Sequence, residues 1–156
     1  MFCYKYKNIL SNIKFIKEEL AKSKDNTKFE KTKNSSDEKN NITNYFCFDM
    51  SIPQMIYYCE NNFNVFTRQS EYEIEPLSLY KESQGVWIDA FYDDSWITEK
   101  LILKHITNGK KICLVSPELH SLPYLEFWKK LRSFNVDYSK VILCTDVPDE
   151  ANKFFN

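Results

Sequence analysis

Five short runs of apolar and β-branched residues recur along the chain after residue 44, and segments with a helical pattern separate them. The runs are nearly continuous in apolar character and do not alternate with polar residues. Such runs are typical of strands that are covered on both faces, as in a parallel sheet. The predicted strands span residues 45–48, 64–67, 86–88, 112–115 and 141–145.

The segments between these runs predict amphipathic helices. In the first of them the apolar stripe comprises Met55, Ile56 and Cys59, and Asn108-Gly109 predicts the end of the second. A capping residue or a proline predicts where each helix starts. The predicted starts lie at Ser51, at Ser95 or Thr98, at Pro123 and at Pro148. Strand–helix alternation of this kind predicts an α/β fold with right-handed crossovers.

The first 43 residues do not share this pattern and divide into two parts. Residues 1–21 predict a short strand followed by a brief amphipathic helix. Residues 22–43 are almost wholly polar, with Phe29 and Ile42 as the only large apolar side chains. Because such a segment buries too little apolar surface to offset its ordering entropy, we predict a disordered insertion there. The strand–helix units then span residues 44–156.

Composition argues against several classes of function. The chain has 156 residues, and 21 basic against 22 acidic residues give a formal net charge of −1, which is not typical of a nucleic-acid-binding protein. Only 2 residues are glycine, so a glycine loop of the dinucleotide or P-loop kind is excluded. The apolar stretches are too short to cross a bilayer. Lys5 and Lys7 lie where an export signal needs apolar residues, so we expect a cytoplasmic protein with reduced cysteines.

A polar residue ends or follows each predicted strand. In parallel α/β folds the side chains just past the carboxyl ends of the strands meet at one edge of the sheet, where ligands bind. Glu118 and His120 follow the fourth predicted strand in a loop, a position where a histidine is often functional. An arginine and a histidine among several carboxylates fit either a phosphate or a divalent metal. The residues predicted to line this pocket are Asp49, Arg68, Asp89, Ser116 and Asp146.

Structural roles compete with binding roles at several of these positions. A polar residue after a strand is often a helix cap, and Asp146 before a Val-Pro pair fits that role. Arg68 either binds an anion or pairs with Glu71 or Glu73. His105 lies on the apolar stripe of a predicted helix, which favours a buried structural histidine.

The order of several short motifs resembles the later strands of one family of TIM barrels. Residues 144–148 (CTDVP) resemble the closing strand of that family, in which apolar residues precede Thr-Asp-x-Pro. Residues 12–14 (NIK) resemble its Glu-x-Lys strand. The family is the glycerophosphodiester phosphodiesterase and phosphatidylinositol-specific phospholipase C-like superfamily. The other similar segments are residues 48–51 (FDMS), 66–73 (FTRQSEYE), 86–89 (VWID) and 115–120 (VSPELH).

The resemblance implies the C-terminal part of a TIM barrel, with about five to six strand–helix units. A complete barrel needs about 200–250 residues, so the alternative fold is an open parallel α/β sheet. In an intact member the reaction is metal-assisted hydrolysis of a phosphodiester, either a small molecule or a lipid headgroup. The resemblance implies that Lys14 contacts the phosphate and that His120 lies in the same pocket, and these are the candidate catalytic residues. The candidate substrate-binding residues are Asp49, Arg68, Asp89, Ser116 and Glu118.

The chain departs from the family's pattern at the residues that carry the chemistry. The early His-Arg strand, the acidic metal-binding pair and a second acid/base histidine have no counterpart in the sequence. Asn12 stands where a metal-ligating glutamate is expected. The resemblance implies a divalent metal, calcium or magnesium, but its ligands are unknown and its site is incomplete. We therefore predict a fragment of a phosphodiesterase that is inactive alone.

Two alternatives assign other functions. In the first, the chain is a non-enzymatic interaction module whose open sheet edge pairs with a partner chain or with a second copy. In the second, Asp49-Met50-Ser51 after an apolar run resembles the nucleophile strand of haloacid-dehalogenase-like phosphatases. Asp49 is then the nucleophile, and Ser51 occupies the place of that family's second acid.

Overall fold

The computed structural model describes residues 46–156, which form one compact unit. The predictions for residues 1–21 and 22–43, among them the catalytic assignment of Lys14, lie outside the described residues. Within the described part, no helix is both long and apolar enough to span a bilayer.

Residues 46–156 contain a four-stranded sheet in which all neighbouring strands are parallel. The strands are β1 (Phe66–Gln69), β2 (Gly85–Ile88), β3 (Lys111–Val115) and β4 (Val141–Cys144). Their order in the sheet follows the chain, β1-β2-β3-β4, and Val86 pairs with Thr67 on one side and Ile112 on the other. Cys47, from the first predicted strand, forms an isolated parallel bridge with Val65 just before β1. The predicted α/β fold with a parallel sheet is confirmed.

The strand β1 begins later than the sequence pattern predicts. The apolar run covers residues 64–67, but pairing with β2 continues to Gln69, opposite Ile88, so Arg68 lies within the strand and not after it. The polar side chains of Arg68 and Gln69 are tolerated in the strand because each has a partner. Arg68 pairs with carboxylates, and Gln69 Oε1 lies 2.8 Å from Nε2 of His105.

Helices occur where the capping signals predict them. They are α1 (Ile52–Glu60), α2 (Glu99–Thr107), α3 (Leu125–Ser133) and α4 (Pro148–Phe155). At the start of α2, Thr98 Oγ1 accepts a hydrogen bond from the backbone N–H of Leu101 at 3.3 Å. At the start of α1, the backbone N–H of Ser51 donates to Oε1 of Gln54 at 3.2 Å. The helix α3 begins shortly after Pro123, and not at it.

The buried face of α1 differs from the predicted stripe. Met55 and Tyr58 are buried, whereas Ile56 is 41% exposed. Residues three apart lie on the same face of a helix, so the burial of Met55 directs Tyr58, and not Ile56, towards the interior.

The main hydrophobic core lies between one face of the sheet and the helices α2, α3 and α4. From the strands it receives alternate residues such as Val86, Ile88 and Leu114, and from α3 the fully buried Phe127 and Trp128. Complete burial of a side chain of this size contributes about 1.5–3 kcal/mol of transfer free energy. Three of the four helices in residues 46–156 therefore pack on the same face of the sheet.

The opposite face of the sheet is covered by aromatic side chains. Phe48 stacks on Trp87 with ring centroids 3.9 Å apart, and Phe46 stacks on Phe66 at 4.2 Å. Because side chains alternate along a strand, the residues that follow Phe66 and Trp87 on this face are Arg68 in β1 and Asp89 after β2. This face therefore leads to polar residues at the carboxyl edge of the sheet.

Candidate functional site

Arg68 is held between two carboxylates at the carboxyl edge of the sheet. Its Nη1 lies 2.6 Å from Oδ1 of Asp49, and its Nε donates to Oε1 of Glu73 at 2.7 Å. Glu73 also accepts a hydrogen bond from the hydroxyl of Ser70. Partial burial acts to lower the pKa of Arg68, but Glu73 and the nearby charges of Asp49 and Asp89 outweigh it and raise that pKa. Arg68 is therefore a permanent cation.

A cavity of about 320 Å³ lies beside this ion pair. Asp49, Arg68 and Glu73 form its polar part, and Met55 from α1 belongs to its apolar wall. Asp49 adopts a left-handed backbone conformation with φ of 56°, which aspartate tolerates better than most residues. The Asp49 side chain is 65% exposed, against 37% for that of Glu73. The outer side of the Arg68 guanidinium is thus accessible from solvent and from this cavity.

His120 and Asp89 form a second pair at the same edge. The imidazole Nε2 lies 2.6 Å from Oδ1 of Asp89, and the other carboxylate oxygen accepts a hydrogen bond from Trp87 Nε1 at 3.4 Å. The ring of Phe91 packs on the imidazole with centroids 5.0 Å apart. An imidazole oriented by a carboxylate can take up or release a proton at its other nitrogen, Nδ1.

Ser116 and Glu118 belong to a third group, which joins the ends of β3 and β4. The hydroxyls of Ser116 and Thr145 both donate to the Glu118 carboxylate, which also accepts from the backbone N–H of Asp146 at 3.2 Å. Ser116 is fully buried, and its Oγ accepts a hydrogen bond from Nε1 of Trp128 at 2.8 Å. These contacts occupy both side chains with protein partners, which indicates a structural role.

His105 lies on the other side of the sheet and is structural, as its position on the α2 stripe predicts. It is fully buried, with Nε2 2.8 Å from Gln69 Oε1 and Nδ1 2.8 Å from the Tyr80 hydroxyl. Burial lowers the pKa of His105 from its ordinary value of 6.5 to about 4, so the imidazole is neutral at physiological pH.

The predicted pocket residues therefore form three groups and not one. Arg68 and Asp49 lie together, Asp89 lies with His120, and Ser116 lies with Glu118. The remaining predicted residue, Asp146, is exposed, and its side chain does not cap α4, which begins after Val147. The sequence allowed Arg68 to pair with Glu71 or Glu73, and in the structure it pairs with Glu73.

The contacts of two of these residues, Asp49 and Glu71, were not expected from the sequence. The pairing of Asp49 with Arg68 depends on the left-handed turn at Asp49, for which an aspartate after an apolar run is the only signal. Glu71 binds three backbone N–H groups of the loop after β2. A glutamate next to a strand gives no sequence signal for such a role.

The described residues do not fit the divalent metal site that the family resemblance implies. In residues 46–156, no three His, Cys, Asp or Glu side chains come together in a way that could hold a metal ion. The carboxylates at the edge already have partners, since Asp49 and Glu73 bind Arg68 and Asp89 binds His120.

The chain matches no protein-family model, no curated protein and no solved structure.

Proposed function

We propose that residues 46–156 are the substrate-side part of a phosphodiesterase-like barrel, which binds a phosphodiester at its carboxyl edge and has little or no hydrolytic activity alone. One observation carries this proposal. Arg68 from β1, Asp89 after β2 and His120 after β3 come to the carboxyl edge from three successive strand–helix units. Successive units that each supply a residue at this edge are characteristic of barrel active sites.

The arrangement of the sheet supports a barrel part more than a doubly wound sheet. In a TIM barrel, consecutive strands are neighbours and all helices lie on the outer face. In a doubly wound sheet, the strand order reverses and helices cover both faces. Here the strand order follows the chain, and α2, α3 and α4 share one face. The aromatic face that bears Arg68 and Asp89 is then the inner one.

Arg68 is the side chain best suited to hold the phosphate. A guanidinium matches the oxygens of a phosphate with paired hydrogen bonds. Asp49 occupies the outer side of Arg68, but an ion pair between exposed groups contributes only about 0–1 kcal/mol. An incoming phosphate can therefore replace the Asp49 carboxylate, while Glu73 keeps the guanidinium in place from the other side.

His120 is the candidate acid/base residue of this site. Asp89 fixes the orientation of the imidazole through Nε2. Nδ1 is then the nitrogen that would donate a proton to the leaving-group oxygen of a bound phosphodiester. The family resemblance implies a phosphate contact for Lys14, which lies outside the described residues.

Calorimetric titration of the full chain with glycerophosphocholine tests the proposal. Arg68→Gln is expected to weaken binding by about tenfold or more, because it removes hydrogen bonds to a charged group. Asp49→Asn is expected to strengthen binding, because the carboxylate that competes for Arg68 is lost. A second titration with vesicles that contain phosphatidylinositol distinguishes a lipid headgroup from a soluble diester.

The matched control for this titration is Arg132→Gln. Arg132 is the other arginine of the chain, and it donates to the backbone oxygen of Phe154 on α4. Equal affinities of Arg68→Gln and Arg132→Gln for both ligands would contradict the proposal. Turnover of a phosphomonoester that Asp49→Asn abolishes would instead favour the phosphatase alternative, in which Asp49 is the nucleophile.

An interaction module is the second candidate function. A cavity of about 320 Å³ beside β4, lined mainly by apolar side chains such as Ile102, Leu131 and Val141, favours it. Such a surface suits a partner chain or a second copy. Sedimentation as a monomer, together with no binding of a dye for exposed apolar surface, would count against this candidate.

A further inference from the structure

Glu71 binds the loop that follows β2 through three consecutive backbone N–H groups. Its Oε2 accepts from the N–H of Phe91 at 3.1 Å, and its Oε1 accepts from Tyr92 at 3.0 Å and from Asp93 at 3.2 Å. The side chain thus connects the segment after β1 with the segment after β2. The same two segments are also joined by the backbone hydrogen bond from Asp89 N to Gln69 O, at 2.9 Å.

The charge of Glu71 strengthens this connection. Partial burial acts to raise the pKa of Glu71, but the backbone hydrogen bonds from the loop outweigh it and lower that pKa. The side chain is therefore an anion at neutral pH. Hydrogen bonds from backbone N–H groups to an ionised carboxylate are stronger than those to a neutral acceptor.

The loop that Glu71 holds carries Phe91, which contacts His120. The two rings have their centroids 5.0 Å apart, and Nε2 of His120 is hydrogen-bonded to Oδ1 of Asp89. Asp89 precedes Phe91 in the same loop, so the carboxylate and the aromatic ring that contact the imidazole both belong to one short segment. Any displacement of that segment changes both contacts of His120.

We propose that Glu71 is a positioning residue that orients His120 by fixing the loop after β2. The functional meaning of this role rests on the proposed acid/base function of His120. Glu71 forms neither a hydrogen bond nor an ion pair with His120. It acts through the backbone of Phe91, Tyr92 and Asp93.

Nuclear magnetic resonance on the ligand-free full chain tests this inference with two variants. Glu71→Gln keeps the length of the side chain and removes its charge, whereas Glu71→Asp keeps the charge and shortens the reach. In both variants the amide protons of Phe91, Tyr92 and Asp93 are expected to lose about tenfold or more of their protection against exchange. The nuclear Overhauser contact between the rings of Phe91 and His120 is expected to disappear, and the His120 ring signals are expected to shift.

Two internal references separate positioning from a general loss of structure. The chain has 2 histidines, and the buried His105 should keep its signals in every variant that folds. Glu126→Gln, which alters an exposed helix glutamate paired with Lys129, should leave His120 unchanged. An unchanged His120 signal and ring contact in either Glu71 variant would overturn the inference. These measurements use the ligand-free chain. A failure of the wild type to bind a phosphodiester would therefore refute the proposed function but would leave the result on Glu71 and His120 intact.

Discussion

His105 shows how a polar side chain is accommodated inside this protein. Both ring nitrogens have partners, Gln69 in β1 and the Tyr80 hydroxyl, so the neutral imidazole is satisfied in the core. The sequence predicts its burial, because the residue lies on the apolar stripe of α2. Its partners are not predictable, because Gln69 and Tyr80 precede it by 36 and 25 residues and only the folded sheet brings them near.

The unfolding free energy should depend on pH through His105. Its pKa is about 4 in the folded chain and about 6.5 when unfolded, so protonation favours the unfolded state. The stabilisation is complete above pH 6.5 and is lost as the pH falls towards 4, by about 2–3 kcal/mol. Urea denaturation of the wild type and of His105→Gln at several pH values measures this contribution.

The difference in unfolding free energy between the wild type and His105→Gln isolates the contribution of the histidine, because the carboxylates titrate in both proteins. The stability advantage of the wild type over His105→Gln should shrink as the pH is lowered from 7 to 4. A constant difference across this range would show that His105 does not titrate in the folded state as described.

Arg68 shows what the sequence leaves undecided at the residue scale. An arginine near the end of a strand needs an anion, and the sequence offers Glu71, Glu73 or an external ligand. The structure selects Glu73 and adds Asp49, while Glu71 turns to the loop after β2. The selection depends on the path of the chain after β1, which apolar periodicity does not specify.

At the scale of elements, the ends of β3 and β4 are joined by one carboxylate. Glu118, in the short 3₁₀ turn after β3, accepts from the Ser116 and Thr145 hydroxyls and from the backbone after β4. Ser116 in turn accepts from Trp128 of α3. The sequence predicts that both Ser116 and Glu118 lie at the carboxyl edge and bind substrate. Spacing alone does not show that their hydrogen-bond partners belong to the protein.

Glu118→Gln should therefore destabilise the fold. An amide offers one acceptor oxygen where the carboxylate offers two, and it is uncharged, so we expect a loss of about 1–3 kcal/mol in unfolding free energy. Urea denaturation at neutral pH measures it. The matched control is Glu126→Gln on the surface of α3. The Glu126 side chain is 84% exposed, so this substitution should change the unfolding free energy by less than about 0.5 kcal/mol. Equal stabilities of the two variants would contradict the structural role of Glu118.

The existence of the elements is more predictable than their ends. All four described helices and four of the five predicted strands occur, because apolar runs and capping residues act locally. The limits of β1 are set by its pairing with β2. Gln69 extends β1 because Ile88 lies opposite it, and not because of its own β propensity.

At the scale of the whole molecule, the sequence predicts an α/β chain with a parallel sheet, and residues 46–156 have that fold. The strand order and the placement of α2, α3 and α4 on one face are tertiary properties, and no periodicity in the sequence encodes them directly. They support the proposal of a barrel part, whose inner face leads to Arg68, Asp89 and His120. We propose that this edge binds a phosphodiester.

A titration of the ¹⁵N-labelled full chain with glycerophosphocholine, followed by nuclear magnetic resonance, tests that claim most directly, because it locates the ligand. If this edge binds the ligand, the largest shifts are expected at Asp49, Arg68, Asp89 and His120, with small shifts beside β4. Shifts concentrated at the apolar cavity beside β4, or no shifts at ligand concentrations far above physiological levels, would contradict it.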